Sequence, residues 1–322
     1  MFDIPESVKK LFDTFPLTTY PAIPKTTSGN DEFIEEKKFY FENEKQSQIS
    51  TNASFSLGVH NVVEFKGQDG KRKYIPSDPV SLGQALILCH KNKLKLPTTS
   101  STNRSCNSIM KVSFHASPDK QLPILIEDDK QSRTIRTISS IIETVAKSNF
   151  QKHPYLDAEL LVLNDFIDLK LFDLWILCLL NESIDRFDEI FDIDSKLDLS
   201  FVAKSLVINN IYSEVEHWRA FRTRNPNLFD YMGQNTQMIA SNTSLKNYYY
   251  LQIDEFADIL PLWIKDINTD VSQNSIQQNI IFFKLSSYIV IIHELLQGTK
   301  LNEVLVQHPD FVKACLQVLQ DF

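Results

Sequence analysis

QLPILIEDDKQSRTIR, residues 121–136, is the stretch on which the fold turns. Ile124, Leu125 and Ile126 follow Pro123, the polar run EDDKQS comes next, and RTIR closes the segment. Two short apolar or β-branched runs around a polar turn predict a β-hairpin. Thr137 then stands at the N-cap of a helix whose apolar positions are Ile138, Ile141, Ile142 and Val145. Toward the N-terminus, FSLGVHNVVEF (55–65) reads as one strand, and KGQDGKRKYIPS (66–77) as a turn-rich loop. Asp78 caps and Pro79 opens a helix whose face is Leu82, Ala85, Leu86, Leu88 and Cys89, with Asn92 at its end. PTTSSTNRSCNS (97–108) is polar and loop-like, and IMKVSFHAS admits a strand or a short helix.

Toward the C-terminus the pattern becomes helical. Leu156, Leu160, Leu163, Ile167, Leu171, Leu174 and Cys178 follow three- and four-residue steps, with further apolar residues on the other faces. Ile281, Leu285, Tyr288, Ile292 and Leu295 repeat that spacing, and HPDFVKACLQVLQDF adds a final amphipathic helix. The apolar zone at 279–296 is interrupted by Lys284, His293 and Glu294, whereas a span needs about 20 predominantly apolar residues. No membrane-spanning helix is therefore expected.

Composition narrows the function. The net charge of −8 over 322 residues argues against a nucleic-acid binder, which needs basic surface to displace counterions. Only 7 glycines are present, and no phosphate-cradling glycine motif occurs. The 4 cysteines, Cys89, Cys106, Cys178 and Cys315, form no C-x-x-C pair, so neither a zinc knuckle nor a redox dithiol is expected. His293-Glu294 lacks the second histidine of a zincin motif. No cofactor, metal or catalytic residue is assigned. MFDIPESVKK lacks the basic start and apolar run of a secretory signal, and Asp3 and Glu6 are atypical of a matrix presequence.

The β–α–(β)–β–β–α order followed by helices resembles the glutathione transferases. The implied fold is α/β plus all-α: a thioredoxin-like N-terminal domain, then a helical domain. The division expected is 1–50 as an N-terminal extension with a proline- and aromatic-rich arm, 51–147 as the thioredoxin-like domain, and 148–322 as the all-helical domain. In that family a proline, usually cis, precedes the third strand, and Pro123 would occupy its place. The family also holds its ligand with an acidic residue followed by Ser before the third helix. Here Arg136-Thr137 stands there, and a cation would repel the ligand's ammonium. Pro123, Arg136 and Thr137 are thus positions of a degenerate glutathione site, and an enzyme is not expected.

LFDTFPLTTY, FSLGVHNV, SDPVSLGQALILCHKNKLKLPT, NRSCNSIM and SPDKQLPILIE resemble the metaxin-like subunits of the mitochondrial sorting and assembly machinery, in particular the 35 kDa type. The resemblance implies a non-catalytic subunit held peripherally on the cytosolic face of the outer membrane. It implies as partners the barrel-forming subunit, a second metaxin-like subunit and β-barrel precursors, whose β-signal it helps receive. A divergent glutathione transferase and the larger metaxin-like subunit are the alternatives. The arm KKLFDTFPLTTYPAIP (9–24) carries Phe12, Phe15, Leu17 and Tyr20 on a backbone stiffened by proline, which lowers the entropy lost on binding. These four are read as partner contacts rather than as filling for a groove on their own domain. HWRAFRTRNP (217–226) interleaves Trp218, Arg219, Phe221, Arg222 and Arg224. A helix end with its aromatics packed inward is the expectation, against a surface for phospholipid headgroups or an acidic partner.

Overall fold

A computed structural model describes residues 31–43, 53–67, 70–99, 104–129, 132–141, 158–182, 184–193, 201–215, 217–229, 243–270 and 276–322. The N-terminal region is mixed α/β. Its strands are β1 (Lys38–Asn43), β2 (Ala53–Val59), β3 (Val62–Lys66), β4 (Arg72–Pro76), β5 (Leu94–Lys95), β6 (Arg104–Lys111), β7 (Ile124–Asp129) and β8 (Arg133–Arg136), with helix α1 (Pro79–Asn92) between β4 and β5. Six strands form one sheet in the order β5-β1-β6-β2-β7-β8, and β3 and β4 form a separate hairpin. The β2–β6 pair is parallel and every other neighbour pair is antiparallel. Parallel neighbours need a crossover, and α1 provides it. The hairpin expected at 121–136 is present, with Leu125 opposite Arg136 and Ile126 opposite Ile135. The Leu122–Pro123 peptide is cis.

Several local readings change. FSLGVHNVVEF is two strands, because the chain turns at His60-Asn61, where the Asn61 side-chain oxygen accepts from the Val62 N–H at 2.8 Å. The segment read as a loop contains β4, in which Lys73 and Ile75 are buried in alternation. β6 begins inside NRSCNS, where Ser105 and Ser108 are buried. Their hydroxyls are satisfied: Ser108 Oγ lies 2.9 Å from Ser56 Oγ, and Ser105 Oγ donates to the Asn107 carbonyl. Lys38–Asn43 falls in the stretch read as an extension, yet it pairs with β6 inside the sheet.

The helix at 79–92 starts as the sequence requires. The Asp78 carboxylate accepts from the Ser81 N–H at 2.8 Å, Pro79 opens the first turn, and Lys93 closes the helix at φ 53°. The described residues from 158 onward are mainly helical: α2 (Ala158–Asp165), a π-helical segment (Phe166–Leu171), α3 (Phe172–Asn181), α4 (Phe201–Val215), α5 (Thr243–Asp270), α6 (Ile276–Leu295), α7 (Lys300–Val306) and α8 (Pro309–Asp321). This layout is compatible with that of the glutathione transferases. The α2–α3 run is the helix expected at 155–180, widened in its middle by one π turn. Buried α6 lies between α1 and α8 and carries Leu285, Ile289, Val290 and Ile291 at 0 % exposure. Among the described residues no single helix is long and apolar enough to cross a membrane.

One glycine is dictated by close approach. A Cβ on Gly58 would lie 2.8 Å from Ile124 Cγ1 and 2.9 Å from Val112 Cγ2. Gly58→Val is therefore expected to lose about 1–3 kcal/mol through overpacking between β2 and β7. A urea unfolding midpoint equal to the parent's would refute that crowding.

Candidate functional site

The end of β2, the turn before α1, the cis-proline loop and the helical region converge on one point. His60, Asp78, Val80, Gln121, Leu122, Phe172, Trp175, Trp218 and Arg219 line a cavity there. It has room for about one water molecule. His60 is packed among rings: Trp218 at 4.9 Å, Phe191 at 5.4 Å edge-on and Phe114 at 6.5 Å. Burial pushes its pKa down to about 3, so the imidazole is neutral at neutral pH. Burial pushes Asp78 up to about 6, against the pull of the α1 N–H groups it caps.

Two sets of bonds fix the junction. From the α/β side, Ser77 Oγ donates to the Ile190 carbonyl at 2.7 Å, and Asn61 Nδ2 donates to the Glu189 carbonyl. From the helical side, the Arg219 N–H donates to Gln121 Oε1 at 2.7 Å, beside the cis peptide. Arg219 and Ala220 both take left-handed backbone, at φ 47° and 58°, a cost of order 1–3 kcal/mol each that surrounding contacts must hold. The Arg219 guanidinium sits 5.0 Å from the Phe172 ring centroid and 3.6 Å from Asp168. Asp168 in turn accepts from Lys284 Nζ at 2.7 Å, and Asn164 accepts from the same ammonium at 2.8 Å. The π turn supplies Asp168, and α6 supplies Lys284.

This arrangement offers little chemistry to a substrate. Ser81, inside α1, is fully buried. Burial raises the pKa of Cys89, Cys178 and Cys315, the last two to about 12, which disfavours the thiolate a nucleophile needs. His90 packs against Phe283 and Phe322. No group of three or more His, Cys, Asp or Glu among the described residues could hold a metal.

Of the residues singled out in the sequence, Pro123 is buried at the cavity rim, next to the lining residue Leu122. Arg136 and Thr137 lie outside the cavity. Arg136 Nε donates to Glu127 at 2.6 Å across the β7–β8 hairpin, and the Thr137 carbonyl accepts from the Ile141 N–H at 2.9 Å. Phe12, Phe15, Leu17 and Tyr20 lie outside the described residues. In 217–226 the aromatics point inward: Trp218 is 5 % and Phe221 0 % exposed. Arg224 forms a two-pronged pair with Asp173. His60, Gln121, Asp168 and Lys284 were not singled out as a group. The available signal was charge inside apolar helices, since a buried Asp or Lys needs a partner.

Residues 2–127 match the model of the family described as SAM35, subunit of the SAM complex. Over 182 residues the chain is 36 % identical to the sorting assembly machinery 35 kDa subunit of Saccharomyces cerevisiae. That alignment covers 54 % of this chain and 52 % of the yeast protein, so the chain matches about half the length of this relative. The matched residues 2–127 hold α1, the sheet into β7 and the α/β wall of the cavity, so the similarity to the SAM35 family lies in the part of the chain that builds that wall.

Proposed function

We propose that the chain is a non-catalytic, peripheral subunit of the sorting and assembly machinery on the cytosolic face of the mitochondrial outer membrane. In this reading it binds the barrel-forming subunit and a second metaxin-like subunit, and helps receive the β-signal of β-barrel precursors. The observation that carries the reading is the SAM35-family match over residues 2–127, which includes the arm. The fold is read as glutathione-transferase-like, with a thioredoxin-like unit at 51–147, joined by strand Lys38–Asn43, and a helical unit at 148–322. A transferase at this position would need space for a tripeptide and a group that activates its thiol. The cavity beside Pro123 has room for about one water and is lined by aromatic rings. Glutathione therefore does not fit the space that the described residues leave beside Pro123.

The test is recovery of the tagged chain from mitochondria solubilised in mild detergent. Stoichiometric recovery of an outer-membrane barrel protein is expected. A monomer or homodimer that turns over glutathione conjugates would overturn the reading. Phe15→Ala with Tyr20→Ala tests the arm. If these aromatics anchor in partner pockets, loss of each costs about 2 kcal/mol, roughly 30-fold in affinity. Assembly at parent levels, with an unchanged circular dichroism spectrum, would remove the arm from the interface.

A further inference from the structure

Three side chains lining the junction cavity carry buried polar atoms without hydrogen-bond partners among the described residues. They are Asp78 Oδ2, Trp175 Nε1 and Trp218 Nε1, on residues 2 %, 1 % and 5 % exposed. The other Asp78 oxygen accepts the Ser81 N–H, and the buried Ser81 hydroxyl stands close enough to the carboxylate to act on its pKa without completing a bond to either oxygen. Leaving a buried donor or acceptor unpaired costs about 1–3 kcal/mol, and more for a charged group. The chemistry of the set narrows the occupant. The carboxylate oxygen needs a donor and the indoles need an acceptor. An anion would meet the carboxylate, a cation would meet the indole N–H groups, and an apolar ligand would leave all three unpaired. A peptide or nucleotide does not fit a space sized for about one water. We infer that this cavity is a binding site for a single water, which donates to Asp78 Oδ2 and accepts from an indole N–H of Trp175 or Trp218.

The site goes beyond the subunit role proposed above and does not depend on it. Asp78 belongs to the cap of α1, Trp175 to α3 and Trp218 to the turn that carries Arg219. One water bonded to both sides joins the α/β region to the helical region at the cis-proline loop. It gives the orphaned polar groups of both regions a shared partner.

The experiment is water-selective NMR on the deuterated full chain. The 3 tryptophans give three indole N–H signals, assigned with single Trp→Phe variants. A cross-peak from a long-lived water to the Trp175 or Trp218 indole is expected, and its loss in Asp78→Ala while the indole signal persists. If Asp78→Ala fails to fold, Asp78→Asn keeps the cap and reads the same contact through a shifted cross-peak intensity. Absence of a water cross-peak to both indoles in the parent chain would overturn the site. So would a crystal structure in which Asp78 Oδ2 bonds directly to a protein donor.

Discussion

Asp168→Ala is expected to destabilise the chain by about 3–5 kcal/mol. The carboxylate stands between Lys284, whose ammonium is 2.7 Å away, and Arg219, 3.6 Å away. The side chains of these two cations are only 10 % and 15 % exposed. Truncation strands two positive charges where water does not replace the lost partner. The desolvation that the pair once offset then stands alone. Asp168→Asn retains an acceptor and is expected to lose less. Pairing Asp168→Ala with Lys284→Met removes one stranded charge and is expected to recover part of the loss. Because the Arg219 N–H also holds Gln121 beside the cis peptide, hydrogen exchange of the 119–123 loop is expected to quicken in the single variant. A loss under about 1 kcal/mol would mean that solvent already screens the network.

The second large effect is a hidden pH dependence. His60 has its pKa lowered from 6.5 to about 3. Between those values the unfolded chain takes up a proton that the native one refuses, so stability falls as pH falls. Asp78 has its pKa raised from 3.8 to about 6. Over that interval the native chain holds the proton more tightly, so stability rises as pH falls. Each slope is about 1 kcal/mol or a little more per pH unit. From pH 6 down to about 4 the two offset each other. Tyr288 faces the same junction, and burial raises its pKa further above this window, so it stays neutral throughout. Single variants separate the two slopes. Relative to the parent, His60→Phe is expected to gain stability as pH is lowered from 6.5, and Asp78→Asn to lose it below 6. Denaturant midpoints at several pH values measure both. Parallel curves for parent and variants would show that neither group is as deeply desolvated as its burial implies.

The sequence carried the features whose cause is local. Pro123 before an apolar triplet, a polar turn, and Asp78-Pro79 ahead of an amphipathic run each state their geometry within a few residues. What it concealed has longer range. β4 and the start of β6 are polar in sequence because Lys73, Ser105 and Ser108 find their partners inside the fold. Alternation rules assume that polar residues face water. The junction was illegible for the same reason: His60 meets Phe191 and Trp218 only after the whole helical region has folded back. The π turn left no mark, because one extra residue does not disturb the three- and four-residue steps Leu163, Ile167, Leu171 and Leu174 by which the helix is read. Of the pair singled out by resemblance, Arg136 ends β8 and Thr137 opens the helical turn after it, and neither is among the residues that line the cavity.

The β3–β4 hairpin has a bearing on how the chain reaches this state. Buried Lys73 donates to the carbonyls of Leu319 and Gln320, which lie 246 and 247 positions later, and the Leu96 N–H bonds the Phe322 carbonyl. Asn61 and Ser77 close on partners 128 and 113 positions away. Such separations mean high contact order, and loop-closure entropy is spent before these bonds form. A ribosome delivers the hairpin long before its partners emerge. The α/β region is thus completed last although it is made first, and a fragment ending before α8 leaves the Lys73 ammonium without the helix end it caps.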